Sequence, residues 1–228
     1  MNNKFLIFGI IISVGISVAL TGGCVNVNEW PSQVLHRLNL CTTIEPSHPL
    51  IRELSAEFDQ YFANQKDRLE RIKSSDFKKI RTELDYVEMF IKEKIDYTTD
   101  ISNEAHIAFE HYPSVAQVLD TQKDDCDGRA IVACSLLVHR GYDSYVIINE
   151  QHAWVVTNVN GSTEHILRDN YNTLWLLRWN HKQVVLNSSH PVLIVCVLLL
   201  LALVVFKLVS KKIARKSSHQ DTVRGIVA

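Results

Sequence analysis

The stretch Lys123–Leu137, KDDCDGRAIVACSLL, sets a thiol, Cys126, among three acids at the head of an apolar run. From Cys126 onward, Ala130, Ala133, Cys134 and Leu137 recur at helical spacing, and Ile131, Val132, Leu136 and Val138 fill the other faces. A helix that is apolar nearly all round is a buried helix. Gly141 stands where such a helix would end. Cys134, in the middle of the run, therefore reads as core packing. Cys126 is a different case. The start of a helix lowers a thiol pKa through its exposed N–H groups and dipole, whereas flanking carboxylates raise it. The stretch alone leaves Cys126 open as a buried filler, a metal ligand or a nucleophile.

Past Gly141 the period changes. Tyr145–Asn149 (YVIIN) and His152–Val159 (HAWVVTNV) are rich in β-branched and aromatic residues, and STEHILRD follows from Ser162. Asn160-Gly161 is the pair best suited to a two-residue hairpin turn. The expectation is three strands packed against helices. If Asn160 and Gly161 form the turn, Val159 pairs with Ser162, Val155 with Ile166 and Trp154 with Leu167. His152 then faces Asp169 at a non-hydrogen-bonded position, with Cβ atoms about 4.5–5.5 Å apart. A single bulge would break this alignment. A carboxylate in that place accepts from one ring nitrogen of His152 and leaves the other for a third group.

Upstream, Leu50–Ile72 is rich in helix formers. Phe77, Ile80, Leu84, Val87, Ile91 and Ile95 then draw one apolar stripe at steps of three and four. The charged residues on the other face read as a solvated surface. His106, His111 and His139 also read as surface residues, Trp154 as sheet packing, and Asp124 and Asp127 as caps or solvation for the helix start.

The two ends are of another character. Phe5–Leu20 is apolar apart from small Gly and Ser and follows Lys4, which fits a signal peptide or a short first span. Leu20–Cys24 (LTGGC) approximates a lipoprotein cleavage box, with its Leu one place too far from the Cys. Pro191–Val209 is almost wholly apolar, and Lys207, Lys211, Lys212, Arg215 and Lys216 cluster at its C-terminal side. That pattern is a span with a cytoplasmic tail. The expected organisation is a signal peptide or first span over 1–24, a helical extension over 25–73, the main domain over 74–187, a transmembrane helix over 190–210 and a basic cytoplasmic tail over 211–228. The body between the spans then lies on the extracytoplasmic side. Asn-x-Ser sequons at Asn160 and Asn187 are compatible with that side.

A net charge of −1 in 228 residues gives no pointer to nucleic acid. The five cysteines, at 24, 41, 126, 134 and 196, show no Cys-x-x-Cys pair, which argues against a zinc ribbon or a dithiol redox motif. A metal site on Cys126, His152 and an acid from Asp124, Asp125 or Asp127 would need further ligands, and no Cys or His near Cys126 completes the set. No cofactor is expected. A helix-start thiol beside an imidazole held by a carboxylate has the parts of a Cys-His-Asp nucleophilic site. The same helix-start N–H groups suit an oxyanion.

In order and spacing, DDCDGRAIVACSLLVHRGYDSYVI, HAWVVTNVNG and ILRDN resemble the transglutaminase-like core. KIDYTTD and YPSVAQVL are similar to that family's upstream part, so the resemblance covers roughly 77–172. It implies an α+β, papain-like fold in which a buried helix carrying the Cys packs on an antiparallel sheet. It further implies Cys126 as nucleophile, His152 as base and acid, Asp169 as the orienting carboxylate, and a substrate or oxyanion contact at Tyr97. Peptide or protein substrates follow from the family, and the placement points to those of the cell envelope. The family includes crosslinking acyl transferases, peptidases and members without known catalysis, so an inactive membrane-tethered scaffold is the competing reading. Two features depart from the family pattern. Asp125 stands where a Gly often precedes the Cys, and Asp169-Asn170 stands where Asp-Pro is usual.

Overall fold

The run after Cys126 is a helix in the computed structural model, which describes residues 28, 30–65, 76–102, 111–149, 152–168, 175–189, 191 and 194. The chain divides into two units, 1–186 and 187–228. In the first, the described α-helices are α1 (Trp30–Leu38), α2 (Pro49–Asn64), α3 (Asp76–Lys94), α4 (Val115–Thr121) and α5 (Cys126–His139). The strands are β1 (Asp96–Tyr97), β2 (Lys123–Asp124), β3 (Asp143–Ile148), β4 (Ala153–Val159), β5 (Ser162–Ile166), β6 (Leu177–Trp179) and β7 (Val184–Leu186). The class is mixed α+β, as expected, with an antiparallel sheet ordered β5-β4-β3-β6-β7. The strands β6 and β7, from a stretch read as neither helix nor strand, extend it beyond the three expected.

Helix α5 is the centre of the molecule. Ala130, Ile131, Val132, Ala133, Cys134, Leu136 and Leu137 are all fully buried. It packs on β3 and β4 on one side and on α2, α3 and α4 on the others. The helix ends as Gly141 predicts. Gly141 takes φ +91°, its N–H bonds Val138 O at 3.0 Å, and the Tyr142 N–H bonds Leu137 O at 2.9 Å. These are the paired bonds of a Schellman cap. Leu84, Val87 and Ile91 of α3 and Ile95 just after it are fully buried, so the apolar stripe is a core face. Ile51, Leu54 and Phe58 of α2 enter the same core, so the helical segment before residue 74 packs as part of it.

The sheet is covered on both faces. Val146, Val155 and Trp179 face the main core. Ile147, Trp154 and Val156 form a second buried cluster with Tyr145 and Trp175. The Trp179 indole N–H donates to Thr43 Oγ1 at 3.1 Å, which satisfies the polar edge of a fully buried ring. His111, read as a surface residue, is instead fully buried, and its backbone N–H donates to the Asp100 carboxylate. A histidine in a short polar context carries no periodic signal of burial, which explains the misreading. His139 is exposed, as expected, while His106 lies outside the described residues.

Among the described residues no helix is long and apolar enough to cross a membrane. The apolar ends 5–20 and 191–209 lie outside the described residues, except Pro191 and Ile194. In the second unit, the Asn187 side chain accepts from the N–H and Oγ–H of Ser189, at 3.2 and 2.6 Å.

One ionic cluster fastens α2 and α3 to the end of α5. Arg140 pairs with Glu83 at 2.8 Å and Asp59 at 2.9 Å, donates to Ser55 Oγ at 3.1 Å and lies over the Phe58 ring. Tyr142 Oη donates to the same Glu83 at 2.8 Å. Arg140→Ala leaves Glu83 half-buried beside a phenol and without its cation. A loss of about 1–3 kcal/mol in urea-unfolding stability is expected; an unchanged midpoint would show that the cluster contributes no net stability.

Candidate functional site

The start of α5 is shaped by three aspartates. Asp125 is the N-cap, its side chain accepting from the Asp127 N–H at 3.1 Å. The unusual acid before the Cys therefore has a structural task that a Gly would not perform as well. Asp124 Oδ1 accepts from the Asp125 N–H at 2.8 Å, and Asp127 Oδ1 from the Gly128 N–H at 2.8 Å. Asp124 and Asp127 are both buried, so they are not solvated, and the cap is Asp125 rather than either of them. The carboxylates of Asp100, Asp124 and Asp125 lie within 4.8 Å of one another, a spacing at which oxygen ligands can hold a hard cation. Each of the three already accepts a backbone N–H bond. Burial and the other three acids push the Asp127 carboxyl well above its ordinary range.

Gly128 is a residue that the helical pattern did not single out. A Cβ there would lie 2.4 Å from Asp124 Cγ and 2.7 Å from both its Cβ and Oδ1. The buried Asp124 side chain occupies the space, so only a glycine lets it pack against the first turn. The signal in the sequence is the glycine itself, two places into a helix that it weakens.

Cys126 and His152 line one small pocket with Lys92, Tyr97, Arg129, Ala153 and Leu167. The short parallel pairing of β1 with β2 sets Tyr97 beside Asp124 and so brings it to the Cys. Arg129 donates to Ile95 O through Nε at 3.0 Å and Nη2 at 2.7 Å, with its guanidinium over the Tyr97 ring. The free volume is about 10 Å³, room for roughly one water molecule. A larger cavity of about 600 Å³ lies at the other end of α5, lined by Tyr142, Tyr145, His181 and Lys182 among others. It holds no thiol.

Two influences compete at the thiol. Burial, and then the Asp125 charge, push the Cys126 pKa up to about 11, against hydrogen bonds from the Ala153 and Cys126 backbone N–H groups. Desolvation and the acid outweigh the helix-start N–H groups, so the resting group at neutral pH is the thiol. Cys134 is fully buried and its thiol is pushed far up by desolvation, as its core reading requires.

The hairpin has the expected turn, with Asn160 at φ 50° and Gly161 at φ 83°. The register is also as derived, from Val159↔Ser162 to Val155↔Ile166. There the ladder stops. Leu167 takes φ 61°, outside the extended region, and the pairing of Trp154 with Leu167 does not form. His152 lies just before β4 rather than in it. The expected face-to-face pairing of His152 with Asp169 therefore loses its geometric basis, and Asp169 lies outside the described residues.

In place of that pair, His152 Nε2 bonds the Leu167 carbonyl at 2.9 Å. A carbonyl only accepts, so Nε2 carries the proton and Nδ1 is left as the basic nitrogen. The His152 N–H donates to Asn149 Oδ1 at 2.9 Å, and the ring stacks near-parallel on Trp154 with centroids 6.3 Å apart. Trp154, buried as expected, also donates to His165 Nδ1 at 3.1 Å. Glu88, on α3, accepts the Leu167 N–H at 2.9 Å and a bond from Lys92 Nζ at 2.9 Å. Neither Glu88 nor Lys92 was distinguishable in the sequence from the other charged residues of that helix.

No protein-family model, no curated protein and no solved structure matches the chain.

Two outcomes test this geometry. Gly128→Ala should cost about 1–3 kcal/mol, because the methyl group meets buried Asp124 atoms; thermal unfolding at wild-type temperature would contradict the crowding. Asp125→Asn keeps a cap but removes a charge that raises the thiol pKa. Alkylation of Cys126 at pH 7–8, followed by peptide mass spectrometry, should quicken. A tenfold gain in thiolate yields roughly a threefold gain in rate, since nucleophilicity falls with pKa. A slower or equal rate would show that Asp125 does not hold the thiol protonated.

Proposed function

We propose that this chain is a membrane-anchored, transglutaminase-like protein that cleaves or transfers amide acyl groups through Cys126. The observation that carries the reading is the shared pocket. A thiol at the start of a buried helix and an imidazole from the neighbouring strand edge line it together, and the N–H of Ala153 bonds the sulfur. The order and spacing of the motifs, with a helix on an antiparallel sheet, support a papain-like transglutaminase core.

In this reading His152 Nδ1 takes the Cys126 proton as the sulfur attacks the carbonyl carbon of a peptide amide. The C–N bond then breaks, the leaving amine takes the proton back, and a thioester remains on Cys126. Water or a second amine resolves the thioester. Because the resting group is a thiol, His152 acts as a general base when substrate arrives, with no standing ion pair required. The Cys126 N–H, the one at the start of α5 that no aspartate takes, stabilises the oxyanion, and Tyr97, on the pocket wall, contacts the substrate. The family resemblance assigns Asp169 to His152, but the Leu167 carbonyl takes the place on Nε2 that such a carboxylate would fill. The apolar ends 5–20 and 191–209 anchor the domain to the extracytoplasmic face of a membrane, where peptides or proteins of the cell envelope are the substrates.

One pair of observations favours a second reading, a tethered scaffold without turnover. The thiol pKa is raised, and the pocket is small enough to need opening before an acyl group enters.

The two are separated by chemistry at one sulfur. An iodoacetamide probe at pH 7–8 should label Cys126, and His152→Ala should slow that labelling at least tenfold. Equal labelling of both proteins would remove the enzymatic reading. Under the scaffold reading, a folded Cys126→Ser protein would keep the full cellular phenotype.

A further inference from the structure

We propose that Glu88 is a positioning residue for His152, acting through the backbone of Leu167. The inference rests on the thiol–imidazole reading above and deepens it. Leu167 is held at three points. Its N–H bonds Glu88 Oε2 at 2.9 Å, its carbonyl accepts from His152 Nε2 at 2.9 Å, and its side chain is buried in the main core. A left-handed leucine is strained and persists only where its surroundings over-determine it. Glu88 supplies the polar part of that determination. By holding the Leu167 N–H, one residue past the end of β5, it fixes the backbone there and so aims the Leu167 carbonyl at the imidazole.

The consequence is chemical. The turned carbonyl demands a proton on Nε2, which leaves Nδ1 bare to receive the Cys126 proton. A carboxylate on α3 thereby sets the tautomer of a histidine on the sheet without touching it. Lys92, one turn further along α3, bonds Glu88 Oε1 and lines the pocket wall. The other charges around this relay are Asp85 and Arg81 on the same helix, Glu164 on β5, and Asp125 and Arg129 at the start of α5.

The test uses the full-length chain with ¹⁵N-labelled histidine. Long-range ¹H–¹⁵N correlation spectra distinguish Nε2–H from Nδ1–H imidazole, with His152→Gln assigning the signal. Glu88→Met keeps the side-chain length and removes the acceptor. Glu88→Gln keeps an acceptor oxygen for the Leu167 N–H. Wild type should show the Nε2–H tautomer, Glu88→Gln should retain it, and Glu88→Met should show a mixture. Cys126 alkylation should fall in Glu88→Met in proportion to the Nε2–H tautomer lost and stay at the wild-type rate in Glu88→Gln. A pure Nε2–H tautomer in folded Glu88→Met would overturn the proposal, as would a mixture in wild type. Should Glu88→Met not fold, Glu88→Ala is read the same way. Absence of labelling in wild type, together with a tautomer change in Glu88→Met, would remove the enzymatic reading and leave the positioning role standing.

Discussion

Burial of α5 is the constraint from which the rest of the structure follows. A helix apolar on every face cannot stop at one partner layer, because each face left in water would forfeit the free energy of burial. It is therefore enclosed by the sheet on one side and by α2, α3 and α4 on the others. Its two ends are the places where polar groups must be met. At the C-terminus the Schellman cap and the Arg140 cluster meet them. At the N-terminus Asp124, Asp125 and Asp127 do so, and Cys126 sits among them.

The same enclosure sets the chemistry of the thiol. Cys126 is removed from water by the packing that fixes it, so its charged form is penalised before any neighbour acts. Asp125 adds to that penalty, yet it is also the cap that starts the helix. Stability of the helix start and acidity of the thiol pull in opposite directions at one residue. The N–H groups of Ala153 and Cys126 offset only part of this, and a base at His152 is what such a thiol needs in order to react.

How far the site was legible depended on the range of the determining contacts. Cys126, the Asn160-Gly161 turn and the register from Val159↔Ser162 to Val155↔Ile166 follow from local rules of spacing, and they are found as derived. The extrapolation failed at Leu167, one residue past β5, whose N–H is held by Glu88, almost eighty residues upstream. A left-handed residue held by a distant side chain has no local signature. The burial of His111 against Asp100 and the pairing of β6 with β3 were missed for the same reason.

The sequence by itself therefore determined the buried helix, its glycine cap at the C-terminal end, the hairpin and the presence of a thiol at a helix start. These depend on residue type and on periods of two and 3.6, which are properties of neighbours along the chain. Only the tertiary structure decided which group His152 bonds, how Tyr97 and Lys92 reach the pocket, and that desolvation outweighs the helix-start N–H groups at Cys126. Those outcomes depend on distances between segments far apart in sequence, which are set when the helices and sheet close around α5.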